Sequence, residues 1–330
     1  MSSGNGQGRV PIEVFTDSPG PLPFVPEGVP RTQQARRRRS KVIAVALFAL
    51  TLLTTLAAGS QFAAAYSSSQ APTFENFLNS YAAIFTDPRA LLAGIPFSFT
   101  LLGILLAHEL GHYFACRYYS ISASYPYFIP APTLIGTLGA FIRIRSPIVN
   151  RKALFDVGLS GPVVGFLFAV PALAVAIAYS KLVPAAQSAA PLVFGDPLLA
   201  RMLIAWLRPG VAPADILLHP VGRAAWVGLF ATALNLLPAG QLDGGHILYS
   251  LASERHRRVS LAVAFLLLPL GLKFWWGWYF WAVLLLLVGF RHPPLLNRWE
   301  PLDRKRLVWA AIALLIFILC FMPAPFTIRE

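Results

Sequence analysis

Residues 101–119 read LLGILLAHELGHYFACRYY, and the reading of this stretch decides the fold. Leu101 to Ala107 is an apolar run suited to lipid, yet His108, Glu109 and His112 follow without a break. Each ionisable group near a bilayer centre costs about 2.5–3.5 kcal/mol on insertion scales, so a purely structural triplet is a poor explanation. On a helix, positions i and i+4 share a face, which lets both imidazoles reach one metal ion. Glu109 is turned about 100° from His108, where it can meet a water molecule without taking a ligand position.

The rest of the chain agrees with a membrane setting. Of its 330 residues 56% are hydrophobic and 12% charged, with a mean hydropathy of +0.62, which points to an α-helical polytopic membrane protein. The net charge of +13 is gathered in short clusters. They are Arg36 to Arg39 with Lys41, Arg143/Arg145/Arg151/Lys152, Arg255/Arg257/Arg258, and Arg291 to Arg306. Each flanks an apolar run, as cytoplasmic anchors do, so the expected partner is a lipid bilayer and not nucleic acid. Cys116 and Cys320 both sit in apolar segments and form neither a disulfide framework nor a CxxC motif.

Residues 1–35, rich in Gly, Pro and Ser, read as a disordered cytoplasmic tail. Their acidic residues argue against a transit peptide and favour a bacterial inner (plasma) membrane. A first span is expected over 41–66, with its N-terminus inside, followed by apolar segments at 91–116, 154–180, 216–251, 258–272, 274–290 and 307–323. That gives about six or seven transmembrane helices. The count depends on whether 258–290, with its aromatic belt KFWWGWYFW at 273–281, forms two short spans or one kinked helix; two short spans are the preferred reading. Residues 91–290 form the expected core and 305–330 a C-terminal transmembrane segment and tail, while the 181–213 loop is too short for a further domain. Between the second and third spans, 121–148 carries four prolines and strict alternation from Phe141 to Arg145, the pattern of a membrane-associated β-hairpin. Such backbone is tolerated at membrane depth only against protein or a wet cavity.

Hydrolytic zinc needs three protein ligands and an open position. The third ligand is sought in ATALNLLPAGQLDGGHILYSL, residues 231–251, where Asp243 stands inside an apolar segment. Pro238 removes a backbone donor and should break the helix. Asp243 would then begin a new helical piece, where the dipole favours a carboxylate. A simple capping aspartate is the plainer alternative.

The pair H-E-x-x-H and Asn235-Leu-Leu-Pro238-Ala-Gly-Gln-Leu242-Asp243-Gly244 resembles the site-2 protease family of intramembrane zinc metalloproteases, peptidase family M50. The context PYFIPAP…LGAFIRIRSPIVNRKALFDVGLSGP and HPVGRAAWVGLFATALNLLPAGQLDGGH is most similar to the plant chloroplast EGY-type branch and its bacterial relatives, over about 98–290. The resemblance implies one zinc ion on His108, His112 and Asp243, Glu109 as the base that activates water, and Asn235 as a catalytic aid that positions or polarises substrate. It also implies transmembrane protein substrates cut within or near their spans. The chain departs from the family's G-P-x-x-N element, because Gly161-Pro162-Val163-Val164 is followed by Gly165. No PDZ or CBS module is expected.

Cys116 lies one turn beyond His112 and is more readily explained by packing than as a soft ligand. His246, three residues after Asp243, is weighed as a ligand or oxyanion partner against a supporting hydrogen-bond role. His219 is expected at an interface. The rival functions are a metal transporter, a catalytically inactive homologue that binds membrane proteins, and a prenyl-protein-processing type of peptidase. The last of these would want a glutamate as third ligand, where this chain offers L-D-G.

Overall fold

The computed structural model of the chain describes residues 31–70, 74–184, 192–288, 292–295, 297 and 299–328. Of the expected tail, 1–30 lie outside the described residues, and helix α1 (Arg31–Ser68) already begins at Arg31. The chain divides between Arg39 and Ser40, and all contacts given below lie within Ser40–Glu330.

The structure is mostly helical. Three stretches are long and apolar enough to cross a membrane: Arg38–Ser68 in α1, Pro88–Tyr118, and Arg151–Tyr179. The second comprises a 3₁₀ helix (Pro88–Gly94) running into α3 (Ile95–Tyr118), and the third is α4. Two further helices are α2 (Phe74–Thr86), ahead of the second expected span, and α5 (Leu198–Leu207), which occupies part of the expected 181–213 loop. The later apolar segments form α6 (Pro220–Asn235), α7 (Asp243–Lys273), α8 (Gly277–Val288) and α9 (Arg304–Cys320). Three of these have only 16, 12 and 17 residues, while α7 carries Glu254, Arg255, Arg257 and Arg258 mid-length. The expected 216–251 segment is thus split between α6 and the first part of α7, and 258–290 forms two helices rather than one. Within α7, Ala252 is non-helical (φ −147°, ψ 67°). There the Arg151 guanidinium donates to the carbonyls of Ser250 (2.7 Å) and Leu251 (2.9 Å), so a kink that frees helical carbonyls meets a donor.

Helices α3, α4 and α6 pack closely through small residues, the usual means of helix association where burying apolar surface gains little. A Cβ on Gly111 would stand 2.6 Å from the Ser160 carbonyl, and one on Gly228 would stand 2.8 Å from Ile104. Ile104, Phe155, Leu173, Leu229 and Ile247 form the shared core. The opposite face of α3 leaves Phe99, Leu106 and Phe114 exposed, as a lipid-facing surface would.

Between α3 and α4, strands β1 (Tyr127–Pro130) and β2 (Thr137–Phe141) pair antiparallel, Tyr127 facing Phe141 and Phe128 facing Ala140. Their connection is held from the side by α1 and α2. Thr54 Oγ1 donates to the Gly136 carbonyl (2.6 Å), Gln61 Nε2 to Leu134 (3.0 Å) and Tyr81 Oη to Thr133 (2.7 Å). Burial pushes the Tyr81 phenol up to about 12, which keeps it a donor. Gly136 has φ +80° and lies against Thr54, where a Cβ would be 2.5 Å from the carbonyl oxygen. At the other end of the pair Tyr127 meets Ser40. Ser40 and Thr54 are about 21 Å apart along a helix rising 1.5 Å per residue, so the hairpin lies lengthwise against α1.

Two further short pairs complete the described strands: β3 (Lys181–Leu182) with β5 (Ile216–Leu217), and β4 (Leu192–Phe194) with β6 (Phe326–Ile328). Beside the basic residues that open α4, Arg306 of α9 forks onto Asp156 of α4 through Nε (2.9 Å) and Nη2 (2.5 Å) and reaches the Tyr119 hydroxyl at 3.0 Å. Lys152 pairs with Glu300 beside it. These contacts place the C-terminal end of α3 and the N-terminal ends of α4 and α9 together, as basic anchors on one membrane side require.

Candidate metal centre

His108 and His112 lie one turn apart on α3, and Asp243 is the first residue of α7. The turn that delivers Asp243 follows from local chemistry. Helix α6 stops at Asn235, Leu236 to Leu242 form the connection around Pro238, and Gly240 adopts φ +56°. A Cβ on Gly244 would be 2.1 Å from the Leu236 carbonyl oxygen, so only glycine lets α7 start so tightly against the end of α6.

The donor atoms converge. His108 Nε2 is 3.1 Å from His112 Nε2, His108 Nε2 is 3.2 Å from Asp243 Oδ2, and His112 Nε2 is 3.3 Å from Asp243 Oδ1. Both histidines are buried and Asp243 is nearly so. The His112 Nδ1–H donates to the Val157 carbonyl at 2.7 Å, which leaves the Nε2 lone pair aimed at the other two donors. Lone pairs from an imidazole and a carboxylate facing each other in a buried site call for a cation between them. A tetrahedral ion at ligand distances of 2.0–2.1 Å has ligand–ligand edges of about 3.3–3.4 Å, close to all three separations. The donor set and its spacing fit zinc. Among the described residues this is the one group of three or more such side chains.

Helix α4 forms the wall behind the imidazoles. A Cβ on Gly161 would lie 2.1 Å from His112 Nε2, and one on Gly165 would lie 3.1 Å from His108 Nδ1. Gly165, where the chain departs from the family pattern, therefore puts bare backbone beside His108 where the family has an asparagine. Asn235, at the end of α6, brings its Nδ2 to 3.3 Å from His108 Nε2. These residues open onto a pocket of about 190 Å³ lined also by Glu109, Ala140 to Ile142, Ile144, Gln241 and His246. The Glu109 carboxylate is buried and accepts a hydrogen bond from the Ile142 amide, so the chain leaving β2 lies directly over it. Exposure alternates from Phe141 to Arg145, with Ile142 and Ile144 turned inward, as their alternation predicts.

The remaining sequence candidates fall elsewhere. Cys116 packs with Ile121, Ala153 and Val157, away from the donor triad. His219 caps α6, accepting from the Val221 amide at 3.2 Å, and lies edge-on to Tyr66. His246 borders the pocket but is not among the three converging donors. Sequence reasoning missed His292, which bonds His246 at 2.9 Å. It stands beyond the end of α8, in a stretch with no periodicity to mark it.

A mostly helical protein with helices apolar enough to cross a membrane, three metal donors converging on one point and a buried glutamate beside the first of them is the class that this geometry defines. The family model described as Peptidase family M50 matches residues 96–275, and the chain belongs to that family, on its EGY-type branch. It is 33% identical over 265 residues to "Probable zinc metalloprotease EGY1, chloroplastic" of Arabidopsis thaliana, covering 72% of this chain and 47% of that protein. The rice (Oryza sativa subsp. japonica) protein of the same name is 32% identical over 226 residues, 63% of this chain and 37% of its own. "Probable zinc metalloprotease EGY2, chloroplastic" of Arabidopsis thaliana is 28% identical over 258 residues, 73% of this chain and 44% of that one. The chain spans about half the length of the curated relatives it matches, or less.

Proposed function

We propose that the chain is an intramembrane zinc metalloprotease that hydrolyses peptide bonds within or near the spans of membrane-protein substrates. The observation that carries this reading is the triangle of His108, His112 and Asp243 donors, with edges of 3.1–3.3 Å, two of them on a helix long and apolar enough to cross a membrane. A zinc ion held there would supply Lewis acidity, polarising a carbonyl and making water nucleophilic near neutral pH. Glu109 takes the proton from the attacking water and delivers it to the leaving amine. Asn235 offers its amide to the developing oxyanion. Asp243 and the two imidazoles remain fixed throughout, His112 by the Val157 carbonyl.

A transmembrane substrate is helical, and its carbonyls are already bonded, so it must unwind before it can be cut. The edge of β2 that turns away from β1 has no strand partner among the described residues and adjoins the pocket. An unwound segment pairs there as an added strand. His112 lies six residues, about 9 Å, from the end of α3 where the basic clusters gather, so the cut falls in the cytoplasmic half of the bilayer. In this reading α6 to α9 also cross the membrane, giving the six or seven spans. The named relatives are chloroplastic, so the comparisons lend no support to a bacterial inner membrane.

The test uses full-length protein in liposomes with a single-span substrate. Glu109→Gln should keep one zinc per chain and lose cleavage, whereas His108→Ala and Asp243→Ala lose both. Cleavage that persists in Glu109→Gln removes the general-base role. Zinc flux without cleavage would instead make the chain a transporter, and zinc without either would make it an inactive homologue.

A further inference from the structure

We infer that His246 is a substrate-binding residue of this site, accepting a hydrogen bond from a peptide N–H beside the scissile bond, and that His292 fixes the tautomer that makes it an acceptor. The inference rests on the protease reading above and adds a role for two residues outside the metal triad.

The tautomers follow from a chain of contacts that ends on a carbonyl. His292 Nδ1 is 2.7 Å from the Pro293 carbonyl oxygen, which can only accept, so His292 carries its proton on Nδ1. Its Nε2 then holds a lone pair, and His246 Nδ1, 2.9 Å away, must donate to it. The lone pair of His246 is left on Nε2, the ring nitrogen remaining for the pocket that the residue lines. His292 is itself held in place, stacked on Tyr249 at 4.1 Å between ring centres and edge-on to His256 at 5.8 Å. On the other side Gly158 of α4 lies so close that a Cβ would be 2.8 Å from His246 Cβ. The imidazole is confined between α4 and His292.

The pocket has a use for such an acceptor. An unwound peptide carries N–H groups that have lost their helical partners, and a donor left unpaired in a water-poor site costs several kcal/mol in the worst case. The β2 edge can serve one side of an extended segment, because strand groups alternate in direction. The side facing α7 has His246 and the Gln241 amide. His292 lies beyond the 96–275 match, so this support comes from a part of the chain outside the family model.

Zinc-loaded full-length Glu109→Gln protein, which by the proposed mechanism does not turn substrate over, is titrated in detergent micelles with a fluorescent peptide copied from the apolar span of the single-span substrate. His246→Phe in that background should weaken binding at least tenfold while zinc stays at one per chain. His292→Leu should weaken it three- to tenfold, and His292→Gln, which keeps an acceptor for His246 Nδ1, should restore it. Zinc loss in His246→Phe would overturn the inference by making His246 a ligand. Unchanged peptide affinity with zinc retained would overturn it by reducing the residue to packing. Failure of the protease reading shows separately: the variants keep these ratios, and wild-type protein binds the peptide but leaves it uncut.

Discussion

Gly161 puts bare backbone of α4 against the His112 ring, and Gly161→Ala converts that closeness into a measurable loss of zinc. The new Cβ would sit 2.1 Å from His112 Nε2, 2.5 Å from Cε1 and 2.6 Å from Cδ2. Ordinary contact needs about 3.5 Å, so either α4 retreats by roughly 1.4 Å or the ring swings away. A swing also strains the 2.7 Å bond from His112 Nδ1 to Val157. Disturbing such support costs about 10- to 100-fold in metal affinity, or roughly 1.4–2.7 kcal/mol. Two controls grade the effect. Gly165→Ala meets His108 only at 3.1–3.2 Å and should cost less, whereas Gly103→Ala meets nothing within 4 Å and should bind zinc as wild type does. The assay is competition with a zinc-sensitive chelator on purified protein, alongside metal analysis. Wild-type affinity in Gly161→Ala would refute the packing of α4 against the imidazoles.

Three further outcomes are expected. Thr54→Val with Gln61→Leu removes two of the three side-chain bonds to the hairpin connection. It should speed amide hydrogen exchange around Leu134 to Thr137 and slow cleavage, while zinc content is unchanged. Because Gln61 Oε1 is a buried acceptor without a partner among the described residues, its loss offsets part of the cost, and stability should change by less than about 2 kcal/mol. Asp156→Asn breaks the fork to Arg306, a pair 29% and 18% exposed, and should cost roughly 1–2 kcal/mol, read as a lower unfolding temperature in micelles. Stripping zinc with a chelator should lower the wild-type unfolding temperature, since an ion at 1,000 times its Kd stabilises by about 4 kcal/mol, and should leave Asp243→Ala unmoved.

The metal site was legible because its chemistry is written locally. His108, Glu109 and His112 are out of place in an apolar helix, and Pro238 and the glycines around Asp243 announce the break that α6 and α7 show. The alternation from Phe141 to Arg145 was also visible, since side chains on extended backbone point to opposite faces in turn. Other features depend on contacts between distant segments. Nothing near Thr54 or Gln61 marks them as holding hairpin residues that stand 82 and 73 positions away. The kink at Ala252 has no proline or glycine to signal it, and Arg151, which answers the freed carbonyls, stands about 100 residues earlier. The short helices α2 and α5 fall below the length at which an apolar run reads as a membrane segment. His292 gains its meaning only from the Pro293 carbonyl on one side and His246 on the other.

The proposed protease cuts its substrate's peptide bond inside the membrane, and the position of that cut separates it from a peptidase that works at the water-exposed surface. Wild-type protein and a single-span substrate are reconstituted together, and the fragments are mapped by mass spectrometry. The site geometry predicts scissile bonds within the apolar span, in its cytoplasmic half, and no fragments from Glu109→Gln. Cuts confined to the water-exposed flanks, or fragments of the same sequence from Glu109→Gln, would contradict it.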